Sequence, residues 1–158
     1  MASKGFNPTS VPGETARGRK FLIVRTDWNS SITAALADSC HMALLDGGAS
    51  EADIFETVVP GAFELVYASA RAVEQGAWDA IIAIGCVVRG DTPHFDYICQ
   101  GVTQGIAQLN TQARTPIIYG VLTVNTYAQA EDRCGGAAGD KGREFGLTAI
   151  KMAQIASS

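Results

Sequence analysis

The sequence predicts an α/β protein: a three-layer α/β/α sandwich built around a central four-stranded parallel sheet. Three observations support this prediction. Short β-rich runs alternate with longer helical ones, one of those runs is apolar throughout, and no repeat or low-complexity block interrupts the order. A strand without polar alternation is typical of burial on both faces, which helices on both sides of a parallel sheet provide. At 158 residues the chain suits one domain whose core needs neither disulfide nor metal.

Four strands are predicted in chain order, at residues 20–25, 54–59, 80–88 and 116–123. The run at 80–88, Ala-Ile-Ile-Ala-Ile-Gly-Cys-Val-Val, is the continuously apolar one. Because right-handed crossovers bring the carboxyl ends of parallel strands to one edge, and ligands bind there, the loops after the strands are the candidate site. These loops are residues 26–30, 60–64, 86–94 and 123–126.

Helices are predicted between and after the strands, and glycines mark their ends, such as the pair 47–48 after the first helix. The glycine-rich stretch 135–139 is interpreted as a flexible connection between the last two helices. Residues 1–19, rich in glycine and proline, are expected to form a flexible or extended arm before a single domain at 20–158. The predicted helices span residues 30–46, 62–75, 94–113, 126–134 and 141–156.

Composition excludes several classes of function. A net charge of −4 without a basic run argues against nucleic-acid binding, and no apolar stretch reaches the roughly 20 residues needed to cross a bilayer. No signal peptide is recognisable. The cysteines form no Cys-x-x-Cys pair, so they are predicted to be reduced and structural, which points to the cytoplasm and to no metal site. They are Cys40, Cys86, Cys99 and Cys134.

The first two loops carry aromatic and acidic side chains. Trp28 offers a flat face for a planar heterocycle, or else packs over the end of the core. Phe63 could flank a ring and Glu64 could accept hydrogen bonds from hydroxyls. The alternative is that Phe63 belongs to the core and Glu64 is only a favourable first-turn acid.

The third loop has the residues of an anion site. Thr92 is predicted to cap the following helix with Pro93 in its first position, and Gly90 leaves the backbone N–H groups accessible. Arg89 could pair with a phosphate or with an acidic side chain nearby. His94, beside the expected anion, has the side chain best suited to proton transfer near neutral pH.

Two cations near the C-terminus, Arg133 and Lys141, flank the glycine-rich stretch. That stretch is not a phosphate-binding P-loop, because it follows a helix and lacks the Gly-Lys-Ser/Thr sequence. Both cations could still bind an anion if the fold or a neighbouring subunit brings them to a ligand.

Together these segments resemble the lumazine synthase family over residues 20–156. The motifs that support this resemblance are Trp28-Asn29, Val59-Pro60-Gly61-Ala62-Phe63-Glu64, the block Gly85 to Tyr97 with Arg-Gly-Asp-Thr-Pro-His-Phe-Asp-Tyr, Pro116 to Thr123, and Gln129 to Gly142. The resemblance implies a flavodoxin-like fold. It also implies condensation of 5-amino-6-(ribitylamino)uracil with 3,4-dihydroxy-2-butanone 4-phosphate, giving 6,7-dimethyl-8-ribityllumazine, phosphate and water, with no metal or organic cofactor.

The resemblance implies a substrate pocket made by three loops. In it Trp28, where most members have Phe, stacks on the pyrimidine, and Glu64 binds ribityl hydroxyls. Backbone groups at the end of the third strand contact the heterocycle. The residues so implied are Trp28, Ala62, Phe63, Glu64, Cys86, Val87 and Val88.

The resemblance further implies that Asp91 and Thr92 lie at the phosphate. Arg133 binds that phosphate with Lys141 close by. His94 transfers the protons.

Assembly is also implied. Tyr119, in place of the usual Phe, would be supplied by an adjacent subunit, so the active sites would lie at the interfaces of a homopentamer. Twelve pentamers would form a 60-subunit shell in some members, and an association with riboflavin synthase is a further expectation.

Other classes fit the residues less well. A flavodoxin-like binding module needs a phosphate loop with glycine after the first strand, and residues 26–31 contain none. A receiver domain needs an aspartate at the end of the third strand, where this chain has Cys86-Val87-Val88. A homologue that only binds flavin or lumazine, or only forms a shell, stays an open alternative.

Overall fold

The computed structural model describes residues 13–158, which alternate strand and helix in the predicted order as far as the fourth strand. A single 3-10 turn, Glu51–Asp53, precedes the second strand. The strands are β1 Phe21–Thr26, β2 Ile54–Val59, β3 Ala80–Val88, β4 Ile117–Val124, β5 Cys134–Gly136 and β6 Gly139–Asp140, and the helices are α1 Ser30–Asp46, α2 Glu64–Gln75, α3 His94–Gln112, α4 Tyr127–Glu131 and α5 Lys141–Ala156.

The first four strands form one parallel sheet in the order β2-β1-β3-β4. Phe21 of β1 lies between Ile54 of β2 and Ala80 of β3, while Ile81 pairs with Ile117 of β4. All carboxyl ends therefore share one edge, as predicted. The three-layer α/β/α architecture with a four-stranded parallel sheet, of the flavodoxin-like type, is confirmed.

Two apolar layers hold the helices to the sheet. Ile82 and Ile84 of β3 pack into a cluster with α1 and α5, and their neighbour Ile81 packs into a cluster with α2 and α3. This alternation explains why β3 is apolar at every position: each face of the strand is covered. Burying each isoleucine contributes about 1.5–3 kcal/mol, so β3 contributes to the core on both faces of the sheet. The edge strand β2 is more open, and Phe55 remains 44% exposed.

The region after β4 differs from the prediction. The helix predicted for 126–134 ends at Glu131, and residues 134–140 form an antiparallel hairpin of β5 and β6 rather than a flexible connection. Gly135 and Gly139 have φ of 94° and 95°, a conformation open to glycine, which lets the chain reverse tightly. The hairpin thereby closes on the start of α5, where Lys141 N–H donates to the Arg133 carbonyl at 2.9 Å.

The predicted N-terminal arm falls largely outside the described residues, since description begins at residue 13. Of its described part, Ala16 is fully buried and Arg19 donates to the Ala153 carbonyl at 3.0 Å, so this stretch packs on α5. All four cysteines are free thiols. Within residues 13–158, no helix has both the length and the apolar character to cross a membrane.

Candidate active site

A cavity of about 490 Å³ opens at the carboxyl edge of the sheet. Three loops and the first turns of α3 contribute its walls, so the predicted ligand edge does carry a concave site. Most residues predicted for the substrate pocket line it together. The lining residues are Trp28, Asn29, Gly61, Ala62, Phe63, Glu64, Cys86, Val87, Val88, His94 and Ile98.

Trp28 is held at the rim of this cavity by its backbone. Its N–H donates to the Pro60 carbonyl at 3.0 Å, and its carbonyl accepts from the Thr26 hydroxyl at 3.0 Å. The side chain is 73% exposed. The alternative that Trp28 packs over the core is therefore wrong, and its ring is available to a ligand.

Phe63 stands on the opposite loop and is also exposed, at 58%, so its assignment to the core is wrong as well. It lies against α3 at Gly101, where an added Cβ would come within 3.3 Å of the ring. Glu64 folds back over Gly61, with a carboxylate oxygen 3.1 Å from where a Cβ would be. Both glycines thus make room for side chains that face the cavity.

Asn29 is a pocket residue that the sequence reasoning did not single out. It has φ 58° and ψ 44°, and its side-chain amide donates to the Cys86 carbonyl at 2.9 Å. This bond ties the loop after β1 to the end of β3. An asparagine directly before a helix was the available signal, because asparagine tolerates the left-handed conformation better than most residues.

The Cys86 thiol is not the reactive part of that residue. Its side chain is 3% exposed and packs in the cluster under α1 and α5. Burial, with a smaller effect from the neighbouring Cys134 thiol, raises the pKa of Cys86 to about 12. It therefore stays protonated, and only its backbone is suited to a ligand.

The turn between β3 and α3 is exposed from Arg89 to His94. The prediction that Thr92 caps α3 is wrong by one residue: Pro93 occupies the cap position, and the Thr92 hydroxyl accepts from the His94 N–H at 3.4 Å. Proline brings no side-chain acceptor, and the Thr92 hydroxyl accepts from only the first N–H of the 19-residue helix α3, so this N-terminus is partly capped and can still receive an anion. Asp91 and Thr92 lie in this turn, outside the cavity wall that His94 joins.

The sequence left open whether Arg89 pairs with a phosphate or with an acidic side chain, and in the structure it pairs with an acidic side chain. Its guanidinium pairs with Asp96, with Nη2–Oδ1 at 3.1 Å, and its Nε donates to Asn125 at 3.1 Å. Asp96 is the acidic residue in the first turn of α3.

Arg133 and Lys141 line a second, polar cleft of about 410 Å³ at the end of β4. Arg133 Nη1 donates to the Gln129 carbonyl at 2.8 Å, and within residues 13–158 it has no carboxylate partner. Lys141 pairs with Glu144 at 2.8 Å, which partly neutralises it. Arg133 is thus the freer cation of the two.

Tyr119 lies apart from both cavities, beside a groove of about 650 Å³ between α3, β4 and α5. Its hydroxyl and that of Thr103 are 2.8 Å apart. Partial burial raises the pKa of Tyr119, so the phenol stays protonated. Because Thr123 pairs with the cavity residue Val87, Tyr119 sits four residues, or about 13 Å, back from the cavity level of the sheet.

No group of three or more His, Cys, Asp or Glu side chains suited to a metal occurs in the described part of the chain.

Comparison with known proteins gives a consistent result. The model of the family described as 6,7-dimethyl-8-ribityllumazine synthase matches residues 18–157. The chain is similar to the 6,7-dimethyl-8-ribityllumazine synthase of Phocaeicola vulgatus, at 53% identity over 96% of this chain and 88% of that protein. It is similar to the proteins of the same name from Porphyromonas gingivalis, at 57% identity over 84% and 83%, and Bacteroides fragilis, at 54% over 84% and 93%.

Proposed function

We propose that this chain, which belongs to the 6,7-dimethyl-8-ribityllumazine synthase family, condenses 5-amino-6-(ribitylamino)uracil with 3,4-dihydroxy-2-butanone 4-phosphate. The products are 6,7-dimethyl-8-ribityllumazine, phosphate and water, in the penultimate step of riboflavin biosynthesis. One observation carries the proposal: two exposed aromatic rings, a carboxylate and a histidine line one cavity, directly beside the N-terminus of α3.

The pyrimidine substrate binds in this cavity. Trp28 stacks on the heterocycle and Phe63 flanks it, since both rings are exposed at the rim. Glu64 accepts hydrogen bonds from ribityl hydroxyls, and Ala62 lines the ribityl side. Backbone groups at Cys86, Val87 and Val88 contact the ring edge.

The phosphate of the second substrate binds at the turn before α3. Backbone N–H groups, the Thr92 hydroxyl and the positive end of the helix dipole favour a dianion there, with Asp91 in the same turn. His94, at the junction of turn and cavity, transfers protons during imine formation and during phosphate elimination. Holding both substrates side by side supplies a large share of the acceleration.

A second copy of the chain completes the site. Tyr119 lies about 13 Å back along β4 from the level of the cavity, so it is better placed to cover a neighbour's ring pocket than its own. Arg133 and Lys141, in a separate cleft, are proposed to reach the phosphate of a neighbour in the same way. The assembly is a homopentamer, able to build a 60-subunit shell and to associate with riboflavin synthase.

The reaction runs in the cytoplasm without a metal or organic cofactor. Four free cysteines support a reducing compartment.

Turnover of the two substrates by the purified, metal-free protein tests the proposal. We expect equal molar amounts of lumazine product, measured by its absorbance, and of released phosphate. We expect His94→Ala to lower kcat about 10²–10⁴-fold while the melting temperature holds, because a lost general acid–base costs rate rather than packing. If the wild type binds lumazine or riboflavin without turnover, the non-catalytic binding alternative replaces the proposal.

A further inference from the structure

Arg89 joins three segments that meet beside the proposed phosphate site. Its Nη1 and Nη2 donate to the two carboxylate oxygens of Asp96, at 3.4 and 3.1 Å, in a bidentate ion pair. Its Nε donates to the Asn125 side chain at 3.1 Å, and its backbone N–H donates to the Val124 carbonyl at 2.9 Å. The residue thereby links the turn after β3, the first turn of α3 and the loop after β4.

The face of the guanidinium is engaged as well. Its central carbon lies 4.3 Å from the centre of the Phe95 ring, which is buried at 9% exposure. A planar guanidinium is held in one orientation when a carboxylate binds its edge in bidentate fashion and a ring packs on its face. Lysine could not reproduce this geometry.

These contacts decide between two roles for Arg89. An arginine that binds phosphate must offer N–H groups to it, whereas this one directs them at Asp96 and Asn125. We infer that Arg89 is a positioning residue: with Asp96 it fixes the turn that presents the anion site and His94. The inference rests on the proposed function, because it concerns that reaction's geometry.

The ion pair is open to solvent, with side chains 43% and 49% exposed, so it contributes little to folding. Its effect is geometric. Displacing a reacting group by about 1 Å can cost about a hundredfold in rate, even when the fold is intact. Loss of the pair should therefore lower kcat substantially while it changes the melting temperature only slightly.

Asp96→Asn separates the two roles because a phosphate ligand and a positioning residue predict different effects on kcat and on binding of the phosphate substrate. If Arg89 were a phosphate ligand, removing the competing carboxylate would leave kcat unchanged and improve binding of the phosphate substrate. As a positioning pair, Asp96→Asn lowers kcat about tenfold or more with a melting temperature within about 4 °C of wild type. Asp96→Glu, which restores a carboxylate, recovers part of the rate.

The double variant adds a second criterion. Arg89→Met and Asp96→Asn act on one contact, so the combination should be no worse than the more severe single change. Additive losses would contradict the inference.

The matched control is the exposed pair Arg71–Glu74 on α2, at 2.6 Å, where Arg71 also lies over a ring, that of Tyr67. Arg71→Met and Glu74→Gln should leave kcat unchanged.

Hydrogen exchange tests the inference independently of turnover. Arg89→Met and Asp96→Asn should both speed exchange in a peptide covering residues 88–97, while the Arg71 and Glu74 controls should not. Unchanged exchange there would overturn the inference whatever the activity. An inactive wild type would instead overturn the proposed function, and an active wild type with unaffected Asp96→Asn would overturn the inference alone.

Discussion

At the scale of single residues, the position of the Phe63 ring in the pocket wall depends on Gly101, a glycine of the neighbouring helix α3. Gly101 of α3 leaves space for the Phe63 ring, which would otherwise meet a Cβ at 3.3 Å. Glycine is a poor helix residue, costing about 1 kcal/mol relative to alanine, so its presence in mid-helix has a local reason. That reason is contact with the ring that flanks the proposed substrate.

We expect Gly101→Ala to separate folding from binding. The added methyl group favours the helix, and the exposed Phe63 can yield, so the free energy of unfolding should stay equal or rise by up to about 1 kcal/mol. The displaced ring should raise KM for the pyrimidine substrate about three- to tenfold, equivalent to a loss of roughly 1 kcal/mol. Urea unfolding and steady-state kinetics on the same preparation measure both quantities.

Gly105→Ala, one turn along α3, is the matched control. A Cβ there would lie 2.8 Å from Val66, a partly buried side chain with less freedom to move. This variant should be destabilised. If Gly101→Ala instead loses stability as Gly105→Ala does, Phe63 is fixed by packing and the proposed separation fails.

Residue identity predicted some of this and not the rest. The positions of Trp28 and Phe63 follow from their place after strands whose carboxyl ends must meet. Whether each ring packs inward or faces a ligand depended on backbone hydrogen bonds, such as that from Trp28 N–H to the Pro60 carbonyl, which sequence patterns do not encode. Gly101 was not predictable, because its role is defined by a neighbour far away in sequence.

At the scale of elements, the junction of β1 and α1 shows how a loop is made rigid enough for binding. Asn29 adopts φ 58° at the cap position, and its amide holds the Cys86 carbonyl. Thr33 donates from α1 back to the Thr26 carbonyl at 2.6 Å. The junction therefore locks Trp28 between two fixed ends.

Two substitutions at Asn29 separate its two contributions. Asn29→Ala loses the hydrogen bond and places alanine, which tolerates the left-handed region less well than asparagine, at this position, for a total cost of about 1–3 kcal/mol in unfolding free energy. Asn29→Gly loses the bond but not the conformation, so it should be more stable than the alanine variant by about 1 kcal/mol. Equal stability of the two variants, measured by urea unfolding, would contradict the conformational part of this account.

Element prediction succeeded where the apolar pattern was clear and was less accurate in the glycine-rich region after β4. The 30–46 helix and the 54–59 and 80–88 strands match their predicted bounds, because periodicity and glycine stops agree. The helix predicted at 126–134 exists but is shorter, Tyr127–Glu131, because a glycine hairpin begins at Cys134. The cap of α3 is Pro93 rather than the predicted Thr92, so the helix begins one residue later than a cap at Thr92 would imply.

At the scale of the whole molecule, the sheet distributes the proposed site over separate surfaces. The cavity with His94 opens at the edge formed by β1, β2 and β3, whereas Arg133 and Tyr119 lie along β4 and beyond. The sequence predicted the carboxyl edge of the sheet, but not that these groups would line three different clefts of one chain. Because Arg133 and Tyr119 line other clefts than His94 does, a site shared by two copies is the arrangement we propose.

Complementation between two defective variants tests this central claim most directly. His94→Ala and Arg133→Ala are each expected to be nearly inactive, and each damages a different half of a shared site. When equal amounts are mixed in urea and refolded together, about one quarter of the sites should combine an intact His94 half with an intact Arg133 half. Wild type treated in the same way gives the reference activity, and each variant refolded alone gives the background. We predict recovery of roughly a quarter of the wild-type rate; a mixture no more active than the mean of the two variants would show that one chain holds the whole site.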